Sequence, residues 1–240
     1  MYKTPDEARA FTRAFREPAN ALADRTSIAL LVPFVDLEAV RDALRGSHVG
    51  FGAQDCYWES EGAFTGEISA AMLGALDAAY CVVGHSERRR SFCETDETVA
   101  KKTAALLAAG VTPIVCVGET LDENRAGRAQ ERIMQQISDG LGRLSNAQRE
   151  RIVIAYEPVW AIGTGLADDP QTANETIGYL RSCAGGLSEA IVLYGGSMKA
   201  DNAEAFCAQP NIDGGLVGSA SLEPENFLSL IRNGIAGARG

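Results

Sequence analysis

Short apolar runs alternate with longer helical patterns along nearly the whole chain, and few folds satisfy such an alternation. Runs near residues 27–32, 48–53, 79–83, 111–116, 152–156, 191–194 and 214–217 are too short for helices and read as buried strands. Helical patterns near 4–23, 35–45, 95–109, 121–142, 171–184, 200–208 and 223–233 lie between or after them. Strand and helix repeating in this way predict a parallel sheet with helices outside it. No linker, low-complexity segment or shift in composition divides the chain, so the pattern predicts one α/β domain over residues 1–240. At 240 residues and 46% hydrophobic, the chain is long enough to bury a full core. Pro18 sits inside the first helical pattern and is expected to kink or end it. The last strand is Gly-rich, which suits close approach to a ligand and weakens pairing.

Two strand ends carry chemistry. In the first, Ile152-Val153-Ile154-Ala155 leads to Tyr156 and then to Glu157, a carboxylate at the strand's C-terminal end. The segment that follows, Pro158, Val159, Trp160, Ala161, Ile162, Gly163 and Thr164, has the make-up of a hinged lid. Pro158 stiffens its start, and Gly163 and Gly165 free its far end. A base covered by a closing loop is a catalytic arrangement; the plainer alternative is a Glu paired to a surface cation, with Trp160 anchored in the core. In the second, Tyr80-Cys81-Val82-Val83-Gly84 delivers His85, followed by Ser86, a residue suited to cap the next helix. A helix start just after His85 would depress its pKa and favour the neutral imidazole, which can lend a proton to a carbonyl and take it back. His48, at the apparent start of another strand, reads as structural. Arg88, Arg89 and Arg90 read as a solvated basic turn pairing with acids such as Glu94 or Asp96.

Other strand-end segments extend the pattern. They are Gly52-Ala53-Gln54-Asp55, Gly62-Ala63-Phe64-Thr65-Gly66-Glu67-Ile68-Ser69, Cys116-Val117-Gly118-Glu119-Thr120, Tyr194-Gly195-Gly196-Ser197 and Asp213-Gly214-Gly215-Leu216-Val217-Gly218-Ser219-Ala220-Ser221-Leu222. Taken in order with the first two, they resemble the triosephosphate isomerase family over essentially the whole chain. The resemblance implies a (β/α)8-type TIM barrel that interconverts dihydroxyacetone phosphate and glyceraldehyde 3-phosphate through an enediolate, with no cofactor and no metal. By that resemblance Glu157 is the base that takes a proton from carbon beside a carbonyl, and His85 polarises that carbonyl. Glu87 belongs to the supporting set, though it reads equally well as a helix-start acid. Substrate phosphate would meet N–H groups of Gly163, Ser197, Gly218 and Ser219. Ser219 stands where the family usually has glycine, and its Cβ would crowd the phosphate. The long loop 54–67 would reach a neighbouring subunit, with Thr65 near that subunit's site and Phe64 on a partly apolar tip. A homo-oligomer is therefore implied, a dimer first.

The family normally opens with a strand ending in Asn-x-Lys, and no such segment is present; Met1-Tyr2-Lys3-Thr4-Pro5 resembles the continuation just after it. A start placed at an internal Met and a loss of the strand would both give this sequence. Thr4 reads as an N-cap with Pro5 at the first helical position. One strand fewer exposes two sheet edges, which would close on each other, stay open or recruit another chain. The missing cation would cost ~10²–10³ in rate, so the reading is an isomerase with strongly reduced activity; the alternative is an impaired phosphate-binding barrel scaffold. A net charge of −10 argues against nucleic acid and anionic membranes as partners. No apolar run approaches a membrane span, no signal-peptide pattern opens the chain, and six scattered Cys suit reduced thiols in a cytoplasmic protein.

Overall fold

The apolar runs become strands because their branched and small side chains suit positions buried on both faces of a parallel sheet. A computed structural model describes residues 1–162, 168–183 and 187–238. Its strands are β1 (Ala29–Val32), β2 (Gly50–Ala53), β3 (Tyr80–Val83), β4 (Thr112–Val117), β5 (Val153–Tyr156), β6 (Ile191–Tyr194) and β7 (Gly214–Gly215). They lie in chain order, each parallel to the next, from β1 through β7. The helices up to β4 are α1 (Pro5–Asn20), α2 (Leu37–Ala43), α3 (Ala70–Ala75), α4 (Ser86–Ser91) and α5 (Asp96–Ala108). After β4 come α6 (Leu121–Arg125), α7 (Ala129–Leu141), α8 (Asn146–Arg149), α9 (Pro170–Cys183), α10 (Ala203–Cys207) and α11 (Pro224–Gly237).

The sheet curls, so its two faces bury different clusters. Val82, Ile114, Cys116, Val153 and Ala155 meet on one face, with Leu31, Tyr80, Leu193 and Leu216 half-buried around them. The other face joins the helices in a larger cluster that includes Phe15, Leu106, Ile133, Tyr156, Leu180 and Phe206. This is the α/β barrel architecture expected from the sequence, with seven strands among the described residues. Among these residues no pairing joins β7 to β1, so the two edges do not close on each other. On the helical layer, α1 packs against α11 through Phe15, whose ring stacks on Phe227 at 5.1 Å. No helix of the described residues is long and apolar enough to cross a membrane.

The start of α1 is set as its residues suggest: the Glu7 carboxylate accepts both the N–H and the hydroxyl of Thr4 at 2.8 Å. Pro18 does not break α1, which ends two residues later at Asn20. The pattern over 121–142 is not one helix but two, α6 and α7. Gly127 lies between them at φ +67°, a left-handed conformation that interrupts the helical hydrogen bonds. The glycines of the last strand shorten it to two residues, against the expected span of 214–217. Short helices α3, α4 and α8 carry too few turns to show a hydrophobic period.

Candidate active site

Parallel strands place all their C-terminal ends on one rim, where their following loops meet. β3 and β5 flank β4 on the sheet, and each strand delivers one functional side chain to that rim. Glu157 follows β5 and is 2% exposed; its N–H donates to the Val117 carbonyl at 2.8 Å. His85 follows β3 by two residues and is half-buried. The two sites predicted from separate segments therefore come together: His85 Nε2 lies 3.0 Å from Glu157 Oε1. The contact is short, but it falls outside good hydrogen-bond alignment, so Oε1 has no aligned donor. Glu157 Oε2 accepts the Ser86 N–H at 2.8 Å.

Ser86 was expected to cap α4, and it does not. His85 is the N-cap, and its Nδ1 accepts the Glu87 N–H at 3.3 Å. The imidazole is the acceptor that reaches the open helix start, which leaves the Ser86 N–H free for Glu157. With Nδ1 accepting, a neutral His85 carries its proton on Nε2, the nitrogen facing Glu157. The expected depression of the His85 pKa is also corrected. Burial pushes the imidazole down, but the adjacent Glu157 carboxylate, with Glu87 and Glu94 behind it, outweighs burial and raises it. Once Glu157 moves away, the largest raising influence goes, and burial with the Glu87 N–H favours the neutral ring. Glu87 itself is exposed and 3.9 Å from Nδ1, the position of a helix-start acid.

Arg88 and Arg89 pair with Glu94 and Asp96 as expected, and Arg90 is exposed, but the first two are more covered than a solvated turn would be. Arg88 pairs with Glu94 and Asp55, both at 2.8 Å, and Arg89 pairs with Asp96; both arginine side chains are largely covered. Buried Lys102 joins the first pair, 2.6 Å from Asp55 and 3.1 Å from Glu94. Burial pushes Glu94 up, yet Lys102, the Gly84 N–H and Arg88 together hold it below the usual carboxylate range. The Gly84 N–H donates to Glu94 at 2.8 Å, and Arg89 donates to the Gly84 carbonyl at 2.7 Å. These ion pairs therefore grip the residue just before His85. His48 is exposed and precedes β2; its N–H donates to Asn20.

Pro158 opens the lid, and Val159, Trp160 and Ala161 form a 3₁₀ turn ending before Ile162. Gly163 and Thr164 lie outside the described residues. Val159 N–H donates to the Glu119 carbonyl at 3.1 Å, and the Trp160 indole donates to the Glu119 carboxylate at 2.9 Å. Glu119 is fully buried, and burial pushes its carboxyl up despite the Trp160, Asn124 and Tyr156 donors around it. On the far side of the lid, Asp168 N–H donates to the Tyr194 hydroxyl at 3.2 Å. Asp168 is buried, with Oδ2 unpartnered; burial pushes its carboxyl up to about 6, helped by the Glu119 and Asp169 charges. Neither acid was singled out from the sequence, where an acid in a loop looks like any solvated one.

Of the phosphate-binding residues proposed from sequence, Ser197 donates its hydroxyl to the Ala161 carbonyl at 2.6 Å, tying that loop to the lid. Gly218 and Ser219 open a 3₁₀ turn over Ser219–Ser221. Among the described residues, the N–H groups of Ser197, Gly218 and Ser219 meet no acceptor. Phe64 and Thr65 are exposed on the long loop, and the Phe64 ring packs 4.7 Å from Tyr57.

The chain matches the family model described as Triosephosphate isomerase over residues 1–234. It is similar to the triosephosphate isomerase of Solibacter usitatus (strain Ellin6076), 47% identical over 237 residues, covering 96% of this chain and 95% of that one. It is 45% identical over 231 residues to the triosephosphate isomerase of Synechocystis sp. (strain ATCC 27184 / PCC 6803 / Kazusa), covering 96% and 94%. The crystal structure of triosephosphate isomerase from Bartonella henselae superposes with a TM-score of 0.86 at 30% identity, covering 97% of this chain and 94% of that one.

Asp168 gives a test of the site's electrostatics. Its folded pKa of about 6 exceeds the ordinary 3.8, so the native state binds the proton more tightly and stability falls as pH rises through that window. Asp168→Asn is expected to raise the unfolding midpoint at about pH 7, by an amount that shrinks steadily towards about pH 4. A difference that stays constant between those pH values would contradict this assignment.

Proposed function

The chain belongs to the triosephosphate isomerase family and is an isomerase, and from that premise we propose that Glu157 and His85 carry its proton transfers. The substrate is a phosphorylated triose, dihydroxyacetone phosphate in one direction and glyceraldehyde 3-phosphate in the other. The observation that carries this reading is the 3.0 Å approach of His85 Nε2 to Glu157 Oε1 across two strand ends. A carboxylate and an imidazole so placed can act on adjacent carbon and oxygen atoms of one small substrate.

In this reading the substrate enters between the two groups, and Glu157 gives up its Ser86 and His85 contacts to face the carbon. It removes the proton beside the carbonyl. His85, neutral with its proton on Nε2, donates to the carbonyl oxygen and stabilises the enediolate. Glu157 then returns its proton to the former carbonyl carbon while His85 recovers a proton from the hydroxyl on the carbon first deprotonated, which becomes the new carbonyl. The phosphate would be held by the unpartnered N–H groups of Ser197, Gly218 and Ser219, and by Gly163 of the lid. Because the net charge is −10, this capture must be local.

Strongly reduced turnover is part of the proposal. Lys3, the lysine nearest the chain's start, lies with its ammonium over the Phe11 ring of α1, 5.2 Å from the centroid. Among the described residues no Lys or Arg pairs with His85 or Glu157, so developing oxygen charge would be met there by His85 and backbone donors, and a preorganised cation is worth ~10²–10³ in rate. We also infer a homodimer through the loop bearing Phe64 and Thr65, supported by a 40% exposed Phe64. Sedimentation should return the mass of two chains; a single-chain mass at working concentration would remove the dimer.

The activity is tested by turnover of glyceraldehyde 3-phosphate beside an identically purified Glu157→Gln variant, which controls for traces of host enzyme. The variant should lose roughly 10²–10⁴-fold, the usual worth of a positioned base. Equal rates in the two preparations would leave the impaired phosphate-binding scaffold as the correct reading.

A further inference from the structure

The β4–β5 ladder ends at Val117 opposite Tyr156, and the Glu157 N–H on the Val117 carbonyl is its last rung. One residue further, Gly118 passes directly against Glu157: a Cβ at Gly118 would lie 1.7 Å from the Glu157 carbonyl oxygen. No side chain fits there, so main chain rests on main chain. What holds Gly118 in that position comes from the helical layer. Gln136 on α7, 3% exposed, accepts the Gly118 N–H at 2.8 Å and donates to the Gly118 carbonyl at 3.1 Å. One carboxamide thus satisfies both peptide groups of a single residue, as another strand's backbone would. The next residue, Glu119, carries the lid's first turn through Val159 and Trp160.

We propose that Gln136 is a positioning residue for the isomerase reaction: its two hydrogen bonds fix the Gly118 peptide groups against which the Glu157 backbone rests, and so set the carboxylate's distance from His85. This rests on the reading of Glu157 as the base. Gln136 touches neither Glu157 nor His85 in the described contacts and acts through Gly118 alone. A general base works only from a narrow range of positions, and a shift of about 1 Å can cost up to ~10²-fold in rate. Nothing in the order of residues marks it out, because a Gln within a helix normally faces water.

The test uses the full chain with Trp58→Phe as parent, which leaves Trp160 the sole indole of the original two. Gln136→Met removes both hydrogen bonds with little change of volume. It should lower kcat about tenfold or more, with KM for glyceraldehyde 3-phosphate within about twofold, because the phosphate site is untouched. Gln136→Glu keeps the shape and can still bond both groups while its carboxyl is protonated. Its kcat relative to the parent should fall as pH rises and the carboxyl ionises against the Gly118 carbonyl. This variant carries the test if Gln136→Met does not fold. Trp160 emission should shift in either folded variant, since its indole is bonded to Glu119 beside Gly118.

A kcat within about twofold of the parent in Gln136→Met, or a pH-independent ratio in Gln136→Glu, would overturn the proposal. So would a loss shared equally by kcat and KM. If the parent shows no turnover, the isomerase reading fails by itself. The support of Gly118 by Gln136 is then judged by emission, and unmoved Trp160 emission in the folded variants overturns it.

Discussion

The Glu157 N–H donating to the Val117 carbonyl is the last rung of a parallel ladder, and the geometry of the rim follows from it. A carboxylate one residue past the end of β5 has little freedom left in its main chain. Gly118 allows the two backbones to touch, and Gln136 holds the Gly118 side of that contact from behind. The other strand is fixed by a different device. Glu94, clamped by Lys102 and Arg88, takes the Gly84 N–H, so His85 leaves β3 at a set angle. Two buried supports of opposite kinds, one a neutral amide and one an ion network, converge on a 3.0 Å contact.

Burial is what gives this site its chemistry. Cys116, fully buried beside Glu157, has its thiol pushed well above the usual range by burial first and by the Glu157 charge second, so it stays an uncharged neighbour. Glu119 and Asp168 are raised for the same reason and lie at the two ends of the lid. Each has a buried oxygen without a partner, an arrangement that costs stability and is tolerated where a segment must move. The Tyr194 hydroxyl meets the lid's far end while Trp160 meets its start. Glu119 and Ser197 hold the segment's start through Val159, Trp160 and Ala161, while one hydrogen bond from Asp168 to Tyr194 is seen beyond it.

The parts of this fold legible in the sequence are those with a period or a punctuation mark. Strand positions followed from short branched runs, and the start of α1 followed from Thr4, Pro5 and Glu7. The break between α6 and α7 was written in Gly127 but hidden by the apolar period on either side of it. Glu157 and His85 stood out because each follows an apolar run directly. Their partners did not. Which atom caps α4 depends on the His85 rotamer, and a backbone donor such as the Ser86 N–H has no signature in a residue list. The His85 shift was misjudged in sign because only the helix start was visible from β3, whereas the deciding charge comes from β5, 72 positions along the chain from residue 85 to 157. Gln136, Glu94 and Asp168 act through three-dimensional neighbours, and single residues in helices and loops do not announce such neighbours.

The central claim is that His85 and Glu157 form one electrostatic unit in the resting protein. Proton titration of His85 by NMR tests it most directly, since His48 is the chain's only other histidine. In the native chain His85 should titrate above the ordinary imidazole range, and in Glu157→Gln it should drop, as the carboxylate's support is removed and burial prevails. A His85 titration that is the same in both proteins would contradict the account.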